Sequence, residues 1–297
     1  MLLSELLALC RREMEGHGFR GSHEAEILVS HIAGIPRSRL SLDAGKEVGD
    51  LSVALRSLLR RRFSGEPVQY ILGAWEFYGR EFLLTRDTLI PRPETEGLIE
   101  GVVEAWRKEK RGAGRMLDVG TGCGAIAVTL AAELPRVRVV AVDVSGEGLV
   151  VAQRNAHALA VAHRVRFLRA DGYSALKRGD RFDVVVSNPP YVSEMEWDSL
   201  PWEVRGFEPA EALVAGPDGM AMIRPLVAGA GDYLKPGGML WLEIGESQGD
   251  AVRRLPRGPL EFVGIGQDLA GRSRVARWIL PAEGNNRGKK GQVGRGF

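Results

Sequence analysis

From Arg115 onward, short valine-rich runs alternate with helix-like stretches, and few architectures accept that alternation. The first four runs are MLDV (116–119), VVAVDV (139–144), VRFLRA (165–170) and FDVVVS (182–187). Helical segments lie between them, near 124–134 and 146–160. After 187 come a long loop, a helix near 218–234, a strand MLWLEIG (239–245), another helix, and closing strands near 260–265 and 274–280. Strands that alternate with helices specify an α/β fold: a Rossmann-like, doubly wound, mainly parallel sheet with helices on both faces. Seven strands are expected, in a domain spanning 96–280.

The first 72 residues read differently. Ser22 can cap a helix whose first turn carries Glu24 and Glu26, favourable against the helix dipole, and that helix should stop at Gly34, with Pro36 just beyond. Leu51, Leu55, Leu58 and Leu59 recur on one face of a later helix, with Arg56 and Arg60 to Arg62 largely on the others. A small helical bundle with the leucine stripe as its core is expected, attached as a substrate-docking module. Residues 73–95 form the join. Trp75, Phe77, Tyr78 and Phe82 suit a β-hairpin with its turn at Gly79-Arg80, and LIPRPETE (89–96) is a proline-stiffened linker into a helix near Thr95. The chain ends at 281–297 in a polar, basic, glycine-rich stretch that lacks the apolar surface to offset its ordering entropy, so disorder is expected there.

Composition excludes several classes. A net charge of +2 is too small to imply a nucleic-acid or membrane partner. Cys10 and Cys123 are too few and too far apart for a disulfide framework or a thiolate zinc site, so no metal is expected. Charged residues interrupt the apolar start of the chain, and no uncharged apolar stretch reaches the roughly 18 residues a membrane helix needs. A cytoplasmic protein is expected.

The first sheet strand ends in Asp118-Val-Gly-Thr-Gly-Cys-Gly124. Gly120, Gly122 and Gly124 allow a tight turn and close approach to a ligand at the carboxyl edge of the sheet, with Thr121 and Cys123 between them. Taken with Ala125, the run also satisfies the dinucleotide fingerprint. Asp143 ends the next strand, 23 positions after Gly120, where a carboxylate can accept both ribose hydroxyls. Adenosylmethionine and NAD sites share that device, so the loop alone leaves both open. The third strand leads into Asp171-Gly172-Tyr173, beside the expected adenine position: Asp171 to meet the exocyclic amine, Gly172 or Tyr173 to cover the ring.

The fourth strand ends in Ser187-Asn188-Pro189-Pro190-Tyr191, the most specific signal in the chain. A double proline cannot continue a central strand, so the chain must turn at the sheet edge that carries the glycine loop. The Pro189 carbonyl and the Asn188 side-chain oxygen are two acceptors at one place, and Tyr191 adds an aromatic ring. That set fits a planar –NH2 group, its protons bonded to Asn188 and Pro189. Amide nitrogen is a poor nucleophile, so orienting it toward a methyl donor is the useful catalytic act. Asn188, Pro189 and Tyr191 are therefore the expected catalytic residues, with Pro190 completing the substrate site.

NPPY at 188–191 together with GTGCG at 120–124 resembles the amino-methyltransferases of exocyclic and amide nitrogens. GEPVQYILGAWEFYG (65–79), LIPRPETE (89–96), FEPAEALVAGPDGM (207–220) and DLAGRSRV (268–275) narrow the resemblance to the HemK/PrmC release-factor glutamine methyltransferases. It runs from about residue 60 to 280. It implies S-adenosyl-L-methionine as cofactor, held by Gly120–Gly124, Asp143 and the corner at Asp171–Tyr173 with Asn188 adjoining. The substrate it implies is the GGQ-loop glutamine of a peptide-chain release factor, methylated at N5 and held by Asn188–Tyr191. Members of that family often carry tryptophan where this chain has Gly172, which passes the adenine wall to Tyr173. The competing readings are a glutamine methyltransferase of a ribosomal protein and an adenine-N6 nucleic-acid methyltransferase; the latter would need a basic recognition surface that the mixed N-terminal region lacks. A non-catalytic adenosylmethionine binder would not need NPPY, and an NAD oxidoreductase would need a hydride-transfer partner that no motif supplies.

Overall fold

The computed structural model describes residues 1–19 and 22–282. The chain divides into two compact units. One holds Met1–Trp75, Leu84–Arg86 and Leu200–Glu208; the other holds Glu76–Leu83, Asp87–Ser199 and the chain from Pro209.

In the first unit, α1 (Leu3–Gly16), α2 (Ser22–Ala33), α3 (Ser52–Phe63) and α4 (Val68–Leu72) surround one apolar cluster. Leu55 and Leu59 of α3 meet Leu3, Leu6, Cys10 and Met14 of α1 and Leu28 of α2 there, while Leu51 and Leu58 pack at its margin. Each such leucine, fully buried, contributes about 1.5–3 kcal/mol. Helix α2 ends at Ala33, and Gly34 takes φ +63°, a left-handed stop that glycine adopts without strain. The capping expectation for Ser22, and the disorder expected over 281–297 for all but its first two residues, fall outside the described side chains and residues.

The segment Leu200–Glu208 belongs to this unit although it comes from the long loop after the NPPY motif, which the sequence assigned wholly to the sheet domain. Its anchor is Arg62, only 3% exposed, which donates to Glu24 (2.8 Å) and to Glu203 (2.7 Å) and lies over the ring of Phe19. Gly65 is equally tight: a Cβ there would sit 2.5 Å from the Trp202 ring.

A hairpin of β1 (Ala74–Phe77) and β2 (Arg80–Leu83) follows, and the second unit takes it up from Glu76. Its turn is Tyr78-Gly79, one residue before the predicted Gly79-Arg80. Both turn residues have positive φ (+52° and +66°), as a two-residue type I′ turn requires. Tyr78 tolerates this with its N–H bonded to Glu96 Oε1 at 2.7 Å. Helix α5 (Pro93–Lys108) starts two residues earlier than expected, because Pro93 at the first position has no N–H to leave unpaired.

The sheet comes next: β3 (Gly114–Val119), α6 (Ala125–Glu133), β4 (Val137–Asp143), α7 (Gly146–Ala158), β5 (Val165–Arg169) and β6 (Phe182–Ser187). Two short helices, α8 (Glu194–Trp197) and α9 (Trp202–Arg205), interrupt the next loop. The unit closes with α10 (Ile223–Gly229), β7 (Leu234–Glu243), α11 (Gly249–Arg253), β8 (Glu261–Gln267) and β9 (Ser273–Ile279). Helix α10 is shorter than the predicted 218–234, since Gly219 adopts φ +69° and cannot be helical. Strand β7 begins five residues before the expected 239, with a register shift against β6 around Lys235–Gly238. The seven strands lie in the order β5-β4-β3-β6-β7-β9-β8, parallel except that β9 runs antiparallel to both neighbours. The chain winds outward from β3 through β4 to β5, then crosses back to place β6 on the other side of β3. The carboxyl ends of β3 and β6 therefore meet at the topological switch point, where open α/β sheets bind ligands.

Candidate active site

Two motifs converge at that switch point. Val119 pairs with Ser187 in register, and the Ser187 hydroxyl donates to the Val119 carbonyl at 2.6 Å. The glycine loop and the Asn-Pro-Pro-Tyr turn thus leave the sheet side by side.

The three loop glycines all have positive φ: +73° at Gly120, +55° at Gly122 and +86° at Gly124. Their surroundings differ. A Cβ on Gly122 would meet nothing within 4 Å, and one on Gly120 would only reach the Asn188 carbonyl, at 4.0 Å; both glycines border open space. A Cβ on Gly124 would press on Ala152 at 3.1 Å and Val128 at 3.2 Å, so that glycine serves close packing of α6 on α7. The side chains between them turn inward. Thr121 is buried and donates to Asp118 Oδ2 at 2.6 Å. Cys123 is buried, burial pushes its thiol pKa up to about 12, and its carbonyl accepts from Asn155 Nδ2 at 2.8 Å. Of these two predicted cofactor residues, then, only the main chain is placed to meet a ligand.

The loop's donors are mostly committed inside the protein. The N–H groups of Gly120 and Thr121 both bond the Val142 carbonyl, that of Gly124 bonds the Thr121 carbonyl, and that of Gly122 bonds Asp143 Oδ2 at 2.7 Å. Asp118, fully buried, takes the N–H of Ala127 at the start of α6. A pyrophosphate is bound by loop and helix N–H groups left free for it. Their commitment here, and a carboxylate at the helix start, weigh against the dinucleotide alternative and fit a ligand without phosphate. Asp143 stands at the tip of β4, half-buried, with Oδ1 accepting from the Ser145 N–H at 2.9 Å. Each of its oxygens holds one backbone donor and keeps a lone pair for a second.

Burial also acts on Asp118, raising its carboxyl pKa to about 7 against the pull of its two hydrogen bonds; its Oδ1 has no partner among the described residues.

At the third corner, Asp171 is exposed and Gly172 has φ +53° with open space where a Cβ would be. Tyr173, the other residue expected at this corner, is partly buried and engaged within the protein. Its ring stacks on Tyr233 with centroids 4.9 Å apart, its hydroxyl donates to the Leu226 carbonyl at 2.9 Å, and it packs against an apolar cluster that includes Leu226, Val227 and Phe182. The ring's apolar area is better buried there than left over a cleft, and the hydroxyl finds its partner on α10.

Beyond β6, Asn188 is half-buried and its Nδ2 donates to Thr95 Oγ1 at 3.1 Å. The Thr95 hydroxyl donates in turn to Glu243 Oε2 at 2.7 Å, and the Tyr191 hydroxyl reaches Glu243 Oε1 at 3.4 Å. The Tyr191 carbonyl accepts from Gln248 Nε2 at 3.0 Å, as does the Gly219 carbonyl. Gly219 must be glycine, since a Cβ would lie 2.2 Å from the Tyr191 carbonyl oxygen. Asn188 is thus held with its amide NH2 turned into the protein and its oxygen left over as an acceptor.

Thr95, Glu243 and Gln248 escaped the sequence reading as site residues. One signal was available: Glu243 stands in the apolar run MLWLEIG of a central strand, and a buried charge is costly enough to need a reason.

Two family models match the chain: the PrmC N-terminal domain over residues 5–73 and the Methyltransferase small domain over 102–204. A release factor glutamine methyltransferase of Koribacter versatilis is 44% identical over 252 residues, covering 84% of this chain and 88% of that protein. One of Burkholderia pseudomallei is 45% identical over 269 residues, covering 87% and 92%. A solved structure of the 16S rRNA N2 G1207 methyltransferase of T. thermophilus aligns with 70% of this chain and 49% of its own at 19% identity, with a TM-score of 0.49. With identities of this size over nearly the whole of both partners, the chain belongs to the release factor glutamine methyltransferase family.

Proposed function

We propose that this protein transfers a methyl group from S-adenosyl-L-methionine to the side-chain amide nitrogen, N5, of the glutamine in the GGQ motif of a peptide-chain release factor. The observation that carries the reading is the placement of Asn188 at the switch point beside the glycine loop, with its NH2 bonded to Thr95 and its oxygen left to accept. An acceptor pair formed by that oxygen and the Pro189 carbonyl suits the two protons of a primary amide, and Tyr191, tethered through its hydroxyl to Glu243, supplies an aromatic wall.

The cofactor brings an electrophilic methyl group on a sulfonium sulfur. Gly120 and Gly122 would admit it close to the backbone, Asp143 would hold its ribose hydroxyls, and Asp171 with Gly172 would meet the adenine. Asn188 and Pro189 would hold the amide so that its nitrogen lone pair, otherwise delocalised into the carbonyl, faces the methyl carbon. Methyl transfer would form the N–C bond as the S–C bond breaks, and release of one N–H proton would leave a neutral N-methyl amide. Asn188 and Pro189 can hold that nitrogen while charge develops on it.

Residues 1–72 are inferred to dock the protein substrate. Arg56 and Arg60 on α3 are exposed and make no ion pair among the described residues, a surface suited to an acidic partner. No helix of the described residues is long and apolar enough to cross a membrane. Mass spectrometry of a release factor incubated with enzyme and cofactor tests the reading. A single methyl on the GGQ glutamine is the expected product; methyl transfer to DNA adenine, or to a ribosomal-protein glutamine instead, would replace it. Reversing the charge of Arg56 and Arg60 together should raise KM for the release factor several-fold (about 1 kcal/mol) and leave kcat alone.

A further inference from the structure

An asparagine side chain can present either its oxygen or its NH2 to a ligand, and a half-turn about its last bond exchanges them. Only the oxygen accepts from a substrate amide, so something must choose. A chain of three side chains makes the choice here. Glu243 at the end of β7 is 1% exposed. Ionised, it can only accept, and it accepts the Thr95 hydroxyl proton at 2.7 Å. A hydroxyl has one proton; having given it to Glu243, Thr95 can only accept from Asn188, which donates at 3.1 Å. The polarity then has one direction, from Asn188 NH2 through Thr95 to the carboxylate.

We propose that Glu243 is a positioning residue: through Thr95 it sets the hydrogen-bond polarity of Asn188, keeping the Asn188 oxygen toward the substrate amide, and it tethers the Tyr191 ring beside it. This rests on the methyl-transfer reading of Asn188. Neither Glu243 nor Thr95 touches the substrate in this scheme.

The setting makes the device sensitive to pH. Burial pushes the Glu243 carboxyl up to about 7. The Thr95 bond, Arg274 of β9 and the Tyr191 bond pull it down, and Glu94 of α5 pushes it up. Arg274 is itself bonded to Asp268 at 3.0 Å, with Glu246 at 3.8 Å, so its pull is shared. Once protonated, Glu243 can donate as well as accept, and the single direction is lost.

The test measures methyl transfer to the release factor from about pH 6 to about pH 9 for the native enzyme, Glu243→Gln, Thr95→Val, Thr95→Ser and the Gln/Val double variant. The native kcat should rise with pH through one proton step near 7. Glu243→Gln and Thr95→Val should each lower kcat about 10- to 100-fold, flatten that step, and leave cofactor affinity within about threefold. Thr95→Ser, which keeps the hydroxyl, should stay within about threefold of native, and the double variant should be no worse than the poorer single one, as members of one chain are not additive. A substrate-independent readout accompanies these: the Asn188 side-chain NH2 signals in NMR should be protected from exchange in the native protein and lose protection in Thr95→Val. Native kcat and an unchanged pH step in Glu243→Gln would overturn the proposal. So would losses confined to melting temperature. Should the native enzyme leave the release factor unmethylated while the NH2 protection tracks Thr95 and Glu243 as stated, the substrate reading fails and the polarity stands.

Discussion

The cofactor corner and the amide corner sit at the ends of adjacent strands, β3 and β6, yet they are built in different ways. The glycine loop is held mainly through its own backbone groups, by partners near it in sequence. Its N–H groups bond the Val142 carbonyl and Asp143 within about one strand-helix-strand unit of sequence, and three left-handed glycines allow the turn. The amide corner is held by side chains from distant parts of the chain: Thr95 from the start of α5, Glu243 from the end of β7, and Gln248 from the segment just beyond it. Backbone scaffolding tolerates side-chain change wherever φ permits. A side-chain network depends on each member, because a buried polar group left unpaired costs about 1–3 kcal/mol.

The contrast can be broken at either corner. The largest effect is expected at Asn188. Asn188→Ala removes the acceptor proposed to hold the reacting amide, which should cost about 3 kcal/mol of transition-state stabilisation, roughly a hundredfold in kcat, with cofactor affinity nearly intact. Calorimetry beside a turnover assay separates the two quantities, and a variant that turns over normally would remove the amide corner from the chemistry.

Asp143 should behave in the opposite way. Its carboxylate holds the N–H groups of Gly122 and Ser145 and is proposed to take the ribose hydroxyls, so Asp143→Ala should weaken S-adenosylmethionine and S-adenosylhomocysteine alike by about 2 kcal/mol. Affinity for both ligands unchanged by the substitution would give the carboxylate a purely structural task. If both variants changed the same kinetic quantity, the two corners would be one functional unit and the comparison would collapse.

A third effect appears in stability against pH. The folded pKa of Asp118, about 7, is raised by burial above its ordinary 3.8, so between those values the native state binds the proton more firmly than the unfolded chain. Its contribution is therefore complete below about pH 4 and is lost as pH climbs through about 7, with a slope of at most about 1.4 kcal/mol per pH unit. Asp118→Asn should remove that contribution from denaturation curves taken across the window and leave the share that belongs to Glu243. A slope retained in full would assign it to Glu243, whose shift has the same direction.

The smallest single effect, at Gly122, is the baseline for testing the glycines against one another. Gly122→Ala meets open space and should cost about 1 kcal/mol, from its positive φ alone. Gly124→Ala adds a clash with Ala152 and Val128 and should cost about 1–3 kcal/mol more. Equal melting temperatures for the two variants would mean that packing of α6 on α7 yields more readily than the contacts imply.

The sequence by itself determined the features that arise from local chemistry and period. Alternation of valine runs and helices specified a doubly wound sheet. Glycines at 120, 122 and 124 specified a backbone turn at the end of β3, and the double proline ended β6 at the same sheet edge. Family membership was legible in NPPY and its companion motifs. Tertiary structure decided whatever depends on residues far apart in the chain. Tyr173 looked like a residue of the open corner, but its ring stacks on Tyr233 and its hydroxyl bonds the Leu226 carbonyl, partners about 50 to 60 residues farther along the chain. Residues 200–208 looked like part of the sheet domain, yet Arg62, some 140 residues earlier, draws Glu203 into the helical unit. The same holds for the orientation of Asn188: an amide is symmetric enough in shape to sit either way, and only Thr95 and Glu243, brought to it by the packing of α5 and β7 around β6, give that amide a direction.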